Sequence, residues 1–296
     1  MSSESILELS AGRLKLELSP CIGGAISAFE WVDGESSRPI LRKCHRPLEK
    51  VLDAPSFPLV PYVNRIRGGR FHFRGRDVQI APNMAGDPSP LHGQGWLNPW
   101  SVNEVGKTHA RLSFRHEPGE WPWRYEAEQE FALDDARLTV SLSCRNLSDE
   151  PMPCGLGQHP YFPCGPETLL DTKVTDAWTI DDRVLPVARV SAEGRYDLRR
   201  RLICGQDLDN GFAGWGGLAW MYDPSWPYEL HLTSPDAAFF QVYSPSSGGI
   251  FVAEPVSHAN AALNEPEEQW PELGMRVLEP GETMSLRMRL AVVPSG

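Results

Sequence analysis

The chain has 296 residues, 41% hydrophobic and 23% charged, with a formal net charge of −11. This composition suits a globular protein with ample core, and its acidity argues against nucleic acid or an anionic membrane surface as partner. No stretch approaches the roughly 18 apolar residues of a membrane span, and residues 1–5 carry no basic segment leading into an apolar one, so no signal peptide and a cytoplasmic location are expected.

Period-two alternation, the mark of half-buried strands, recurs along the chain. Leu14, Leu16 and Leu18 alternate with polar residues over 13–19. Phe71 and Phe73, the pair Arg74-Gly75, then Val78 and Ile80 predict a hairpin. Residues 131–138 predict a second hairpin, which leads into Leu138, Val140, Leu142 and Cys144 on one face. Further strands are expected at 229–233, 238–243, 248–255 and 284–293, whereas 160–166 and 211–217 read as loops. With 26 Gly and 27 Pro punctuating short segments, helices longer than two turns are hard to place. The expected class is all-β, an antiparallel sandwich or barrel. No linker of low complexity and no repeat divides the chain, so one domain over 1–296 is expected.

Six cysteines stand at 21, 44, 144, 154, 164 and 204 without a CxxC pair, so the zinc-ribbon pattern is absent. They read as reduced, mostly buried thiols.

Five places embed polar groups among Gly and aromatic residues: Asn64-Arg65-Ile66; Leu91-His92-Gly93-Gln94-Gly95-Trp96; Gln158-His159-Pro160-Tyr161-Phe162; Asp209-Asn210-Gly211-Phe212; and Glu254-Pro255. Glu254 ends an apolar run in which it shares a strand face with Ile250 and Val252. If that face points inward, the carboxylate needs a partner and is a candidate for acid/base work. The plainer reading is a strand end meeting solvent. Asp209 beside Asn210-Gly211 also fits a turn, and a His flanked by Gly or Pro also fits a surface loop. Two His, two carboxylates and an Arg admit two chemistries. One is a metal site of the two-His-one-carboxylate type, against which His92 and His159 form no close pair in sequence. The other is cofactor-free general acid/base catalysis on a polyhydroxylated substrate, with Trp and Tyr faces for a sugar ring.

Taken together, in order and spacing, Asn64-Arg65-Ile66, Leu91-His92-Gly93 with Gly95-Trp96, His159-Pro160-Tyr161-Phe162, Asp209 with Phe212, and Glu254-Pro255 with Ser257-His258 resemble the aldose 1-epimerase (galactose mutarotase) family, specifically its shorter bacterial members. The resemblance implies a large antiparallel β-sandwich with a sugar cleft across one sheet, and interconversion of the α- and β-anomers of an aldose without metal or cofactor. It implies that Glu254 is the base at the C1 hydroxyl and His159 the acid at the ring oxygen. Asn64, Arg65, His92 and Asp209 would hold sugar hydroxyls. The chain departs from the pattern at Gly93-Gln94, where a Gly-Gly pair is common, and at Asn210-Gly211.

The chemistry agrees with those roles. Mutarotation removes a proton from O1 and delivers one to O5, which a carboxylate and an imidazolium on opposite sides of C1 can do. Keeping an imidazole protonated near pH 7 calls for a nearby carboxylate, which Asp209 or Glu254 could supply. The expected partner is a small neutral sugar, galactose or glucose first, bound by a monomer or homodimer. A hexose-6-phosphate mutarotase would need extra cations, for which Arg199, Arg200 and Arg201 are available. A non-catalytic carbohydrate-binding protein would use the same aromatic cleft. A glycoside hydrolase would need two flanking carboxylates, with Asp209 and Glu254 the evident pair.

Overall fold

A computed structural model of the chain describes residues 6–294. Residues 1–5, on which the signal-peptide expectation rests, lie outside the described part. Strands dominate, and the one α-helix among the described residues is the single turn Trp270–Leu273. No described helix is long and apolar enough to cross a membrane.

The strands form three large antiparallel sheets of four, nine and eight strands and two small ribbons. The expected strands fall at Leu14–Ser19, Arg137–Asn146, Tyr228–Thr233, Phe239–Ser244, Ile250–Val256 and Thr283–Pro294. Both expected hairpins form. Arg70–Phe73 and Arg76–Gln79 are joined by Arg74 and Gly75, both with positive φ (+46° and +82°), the backbone sense that matches the twist of a tight hairpin. Tyr125–Leu133 pairs with Arg137–Asn146 across the turn at 134–136.

One buried apolar cluster draws on all three large sheets: Leu138, Val140, Leu142, Leu286, Met288 and Leu290 from the nine-stranded, Phe240, Val242, Phe251 and Ala253 from the eight-stranded, and Leu14, Leu16 and Leu18 from the four-stranded. The fold is thus all-β and antiparallel, and of the sandwich and barrel that alternation leaves open it is the sandwich that the resemblance implies, each buried aliphatic side chain contributing about 1.5–3 kcal/mol. A second apolar cluster, including Phe57, Leu59, Leu91, Trp96, Tyr161 and Val252, lies on the other side of the eight-stranded sheet.

Two local expectations change. The segments 160–166 and 211–217 are loops only in part, because Tyr161–Pro163 pairs with Ile250–Val256 and residues 211–213 finish the strand Leu208–Ala213. All six cysteines are free thiols, but only Cys144 and Cys154 are buried. Cys21 is exposed and the other three are intermediate, because those four sit in connecting segments rather than on inward strand positions.

Candidate active site

Three adjacent strands, Leu208–Ala213, Phe239–Ser244 and Ile250–Val256, form the floor of a cleft. Alternation sends Phe240, Val242, Phe251 and Ala253 into the main core and leaves Asp209, Gln241, Tyr243, Val252 and Glu254 on the opposite face. The face that Glu254 shares with Val252 therefore points away from the main core. Glu254 is nevertheless only 3% exposed, because the second apolar cluster closes over it. The register sets Gln241 opposite Glu254 and Asp209 opposite Tyr243, and Gln241 Nε2 donates to Asp209 Oδ1 at 2.9 Å. Asp209 is thus a strand residue rather than part of a turn. Asn210 points to the other side, where its amide donates to the Trp178 carbonyl at 2.8 Å.

The walls come from loops. The short strand Gly157–Gln158 is pinned between Val256 and Pro58–Leu59, which delivers His159 to the carboxylate: His159 Nε2 lies 3.4 Å from Glu254 Oε1. The His159 ring stacks on Phe57 (centroids 4.5 Å apart), tilts against Tyr161 (4.7 Å) and meets His92 edge-on (5.4 Å).

His92 and Asn64 both adopt left-handed backbone conformations, with φ of +59° and +57°, and each holds the other there. The His92 N–H donates to the Asn64 carbonyl at 2.9 Å, and the Asn64 N–H donates to His92 Nδ1 at 3.0 Å. Nδ1 is therefore an acceptor, so the neutral ring carries its proton on Nε2, the nitrogen left for a ligand. Gly93 cannot change, since a Cβ there would fall 2.2 Å from the Val60 carbonyl oxygen. Gln94 is in ordinary right-handed geometry and receives the Tyr125 hydroxyl at 3.4 Å; it does not line the cleft. The departure from a Gly-Gly pair thus stays outside the site.

Arg65 is fixed by neighbours that sequence patterning did not single out. Its Nε donates to Asp87 Oδ2 at 2.9 Å and its Nη1 to Asn64 Oδ1 at 3.2 Å, while its backbone N–H donates to Asn260 Oδ1 at 3.1 Å. Asn64, Arg65, His92, His159, Asp209 and Glu254 all line one cleft of 210 Å³, together with Phe57, Trp96, Tyr161, Gln241, Tyr243 and an apolar margin of Leu52, Met84 and Leu91. Larger clefts of 350 and 630 Å³ elsewhere contain none of the six. Asp87, Gln241 and Phe57 carry no local sequence signal, since their importance lies in what they touch across the fold.

His258 sits near the carboxylate in sequence but is spent structurally: its Nε2 accepts the Val63 N–H at 3.0 Å and its Nδ1 donates to the Ala259 carbonyl at 2.8 Å. Arg199, Arg200 and Arg201 are outside the cleft. Arg199 pairs with Asp197 at 2.6 Å, the Arg200 N–H donates to Asp171, and Arg201 donates to the Arg195 carbonyl at 2.6 Å. No group of three or more His, Cys, Asp or Glu among the described residues is arranged to hold a metal ion.

Electrostatically, burial dominates. It pushes Glu254 well above the ordinary carboxylate range, with the Asp209 charge adding to the rise and Arg65 opposing it. Burial also holds His159 down to about 3 and His92 well below the usual imidazole value. Burial thus works against the expectation that a carboxylate keeps His159 protonated in the free protein, although Glu254 is within reach. The site has too little water to favour separated charges, so burial works toward a protonated Glu254 and a neutral imidazole. The pair is in direct contact at 3.4 Å. Its other arrangement, Glu254 ionised and His159 protonated, has the same proton count and differs only in which partner holds the proton.

Comparison with known proteins extends the resemblance over the chain. Residues 6–291 match the family model described as aldose 1-epimerase. The chain is 33% identical over 306 aligned positions to the uncharacterised protein YphB of Escherichia coli K12, covering 97% of this chain and 99% of that one. It superposes with a TM-score of 0.87 and 32% identity on an E. coli K12 crystal structure provisionally described as an aldose 1-epimerase, over 98% and 99% of the two chains. A galactose mutarotase-like protein from Clostridium acetobutylicum shares the fold at a TM-score of 0.85 and 17% identity, over 97% and 95%. With a family match across nearly its whole length and a cleft that gathers the motif residues, the chain belongs to the aldose 1-epimerase family.

Proposed function

We propose that the protein interconverts the α- and β-anomers of a free, neutral aldose, with Glu254 and His159 as its base and acid. The observation that carries this is the contact of those two buried groups, 3.4 Å apart, in a cleft lined with sugar-sized polar clamps and aromatic faces. A purely binding cleft would gain nothing from an acid and a base held against each other in poor solvent, since burying such groups is costly.

The reaction uses the pair's two arrangements. Ring opening begins from ionised Glu254 and protonated His159: the carboxylate takes the O1 proton as the imidazolium gives one to O5, and the C1–O5 bond breaks. The open-chain aldehyde then sits against protonated Glu254 and neutral imidazole, the arrangement that burial favours in the free protein. The sugar's own polar atoms offset the cost of charge separation in the closed-ring complex. Rotation about C1–C2 presents the other carbonyl face, and reversed transfers close the ring as the opposite anomer. No net proton leaves the site. Asn64, Arg65, His92 Nε2–H and Asp209 hold hydroxyls. The Asp87 carboxylate keeps the Arg65 guanidinium aimed by accepting from its Nε.

A free sugar is favoured over a phosphorylated one because Arg199, Arg200 and Arg201 do not reach the cleft and its margin is apolar. A phosphate clamp normally recruits several cations. Polarimetry or anomeric-proton NMR on freshly dissolved galactose, glucose and their 6-phosphates tests the reading. Acceleration of the neutral sugars supports it, and a tenfold or greater preference in kcat/KM for the phosphates overturns the free-sugar assignment.

A further inference from the structure

Behind the cleft, and outside its lining, Arg42 ties together the wall that carries His159. Its backbone N–H donates to the Tyr161 carbonyl at 2.8 Å, and its guanidinium carbon lies 3.5 Å from the centre of the Tyr161 ring. Nη2 donates to the Leu52 carbonyl and, at 2.8 Å, to the Ala54 carbonyl. The next carbonyls along the same segment are taken by the neighbouring strand: Pro55 accepts from the Tyr161 N–H at 2.9 Å and Phe57 from the His159 N–H at 3.1 Å. A row of four carbonyls, those of Leu52, Ala54, Pro55 and Phe57, is thus laced to Arg42, Tyr161 and His159. Leu52 and Phe57 present side chains to the cleft from that row, and Phe57 and Tyr161 both pack against the imidazole.

We propose that Arg42 is a positioning residue for His159: it clamps the Tyr161 ring and the 52–57 segment against the imidazole and places one fixed positive charge behind it. The proposal rests on the acid role given to His159 above. Geometry supplies the clamp, because Arg42 closes a ladder that would otherwise end at Tyr161. Charge supplies the second part. A cation one aromatic ring away, beyond Tyr161, opposes the imidazolium, and Arg42 does act on His159 in the lowering direction, after burial. A weakly held proton makes His159 the stronger acid toward a sugar ring oxygen, which is itself a poor base.

The groups facing His159 from every packed element are few. Glu254 lies across from it, His92 is edge-on, and Tyr161 and Arg42 are on one side. Asp209 and Arg65 reach the pair through Glu254, and Asp53, Cys44 and Tyr243 face Arg42. Of these, only Arg42 and Arg65 carry a permanent positive charge; Arg65 is paired with Asp87 at 2.9 Å and acts on Glu254 and His92, whereas Arg42 acts on His159.

The test compares Arg42→Met, which removes clamp and charge, with Arg42→Lys, which keeps the charge but cannot lie flat on Tyr161 while holding two carbonyls. Both lower kcat, Arg42→Met by roughly tenfold through loosened geometry, with smaller changes in KM. In Arg42→Met alone both limbs of the pH–rate profile move to higher pH by roughly half a unit to one unit, the size expected of a single charge lost at this range. A readout independent of turnover is histidine side-chain NMR of the free proteins, with the His159 signal assigned from His159→Asn. In an acid titration carried to the limit of the fold, the His159 signal begins to move toward imidazolium at higher pH in Arg42→Met than in wild type or Arg42→Lys. Equal imidazolium in all three proteins overturns the proposal, and does so whether or not the wild type turns over any sugar. A wild type inactive on all aldoses, with the NMR difference intact, sinks the epimerase reading and leaves the charge effect standing.

Discussion

The outward faces of the two largest sheets follow the same alternation and come to opposite ends. On the nine-stranded sheet, Glu126, Glu128 and Glu130 stand at every second position of Tyr125–Leu133, at the surface, and Glu128 lies 3.9 Å from Arg111. On the eight-stranded sheet, Asp209, Gln241 and Glu254 occupy equivalent outward positions, yet Glu254 is 3% exposed. The difference is cover. Glu126 and Glu130 on the first face stay exposed and Glu128 half-buried, whereas the second cluster of Phe57, Leu91, Trp96 and Tyr161 closes over the second. Burial then raises Glu254 well above the ordinary value and Glu128 by less. A strand pattern offers carboxylates to a face, and the loops above it decide whether they become chemistry.

The sharpest way to break that comparison is to remove one carboxylate from each face. Glu254→Gln is expected to lower kcat by roughly 10²–10⁴-fold, the usual cost of a lost general base, with the thermal midpoint retained. Glu128→Gln, on the uncovered face, should leave kcat and KM at wild-type values. If Glu254→Gln keeps more than a tenth of wild-type kcat, the covered face does not supply the base.

Within the covered face, His159→Asn should reduce kcat on the same scale, whereas His92→Asn and Arg65→Ala should act chiefly through KM, since clamps bind ground and transition states alike. A change in KM alone for His159→Asn would remove it from the acid role. Asp87→Asn is expected to have a smaller effect, a rise in KM of roughly tenfold with kcat nearly kept, because it frees Arg65 without removing it. Unchanged KM would show that Arg65 is held well enough by Asn64.

Much of this was legible in the sequence, and the missing parts share a cause. Alternation located the strands through 137–145 and 284–293 because their inner and outer faces differ in polarity. It gave no warning of Leu218–Tyr222, whose residues are apolar on both faces, leaving Leu218, Trp220 and Tyr222 exposed. Asp209-Asn210-Gly211 has turn composition, but pairing with Gln241, Val242 and Tyr243 overrides that local preference. The six site residues could be named from motif order, while Asp87, Gln241 and Arg42 could not, because each acts through a contact far away in sequence. The downward pull on His159 was also out of reach, since it comes from burial that only the folded cover creates.

Cover has a smaller signature in stability. His159 and His258 are held to about 3 and about 4, below the ordinary 6.5. Between those values and 6.5 the unfolded chain binds protons that the folded chain refuses, so stability falls as pH drops through this window. Glu254 has the opposite sign: its raised value stabilises the fold at low pH, and that contribution fades as pH rises through its folded value. With four histidines held down, His92 and His116 among them, against three raised carboxylates, Glu254, Asp209 and Glu128, the urea midpoint should be lower at pH 5 than at pH 7. A higher midpoint at pH 5 would contradict neutral burial of these rings.

The central claim is that Glu254 and His159 act as one proton-sharing unit, and a double-mutant comparison of anomer exchange addresses it most directly. Magnetisation transfer between the α and β anomeric protons of galactose, catalysed by wild type, Glu254→Gln, His159→Asn and the double variant, gives the four rates. A working unit predicts that the double variant is no slower than the slower single variant, since losing either member already disables the exchange. Losses that multiply, so that the double variant falls by the product of the two single effects, would contradict it and make the two residues independent contributors.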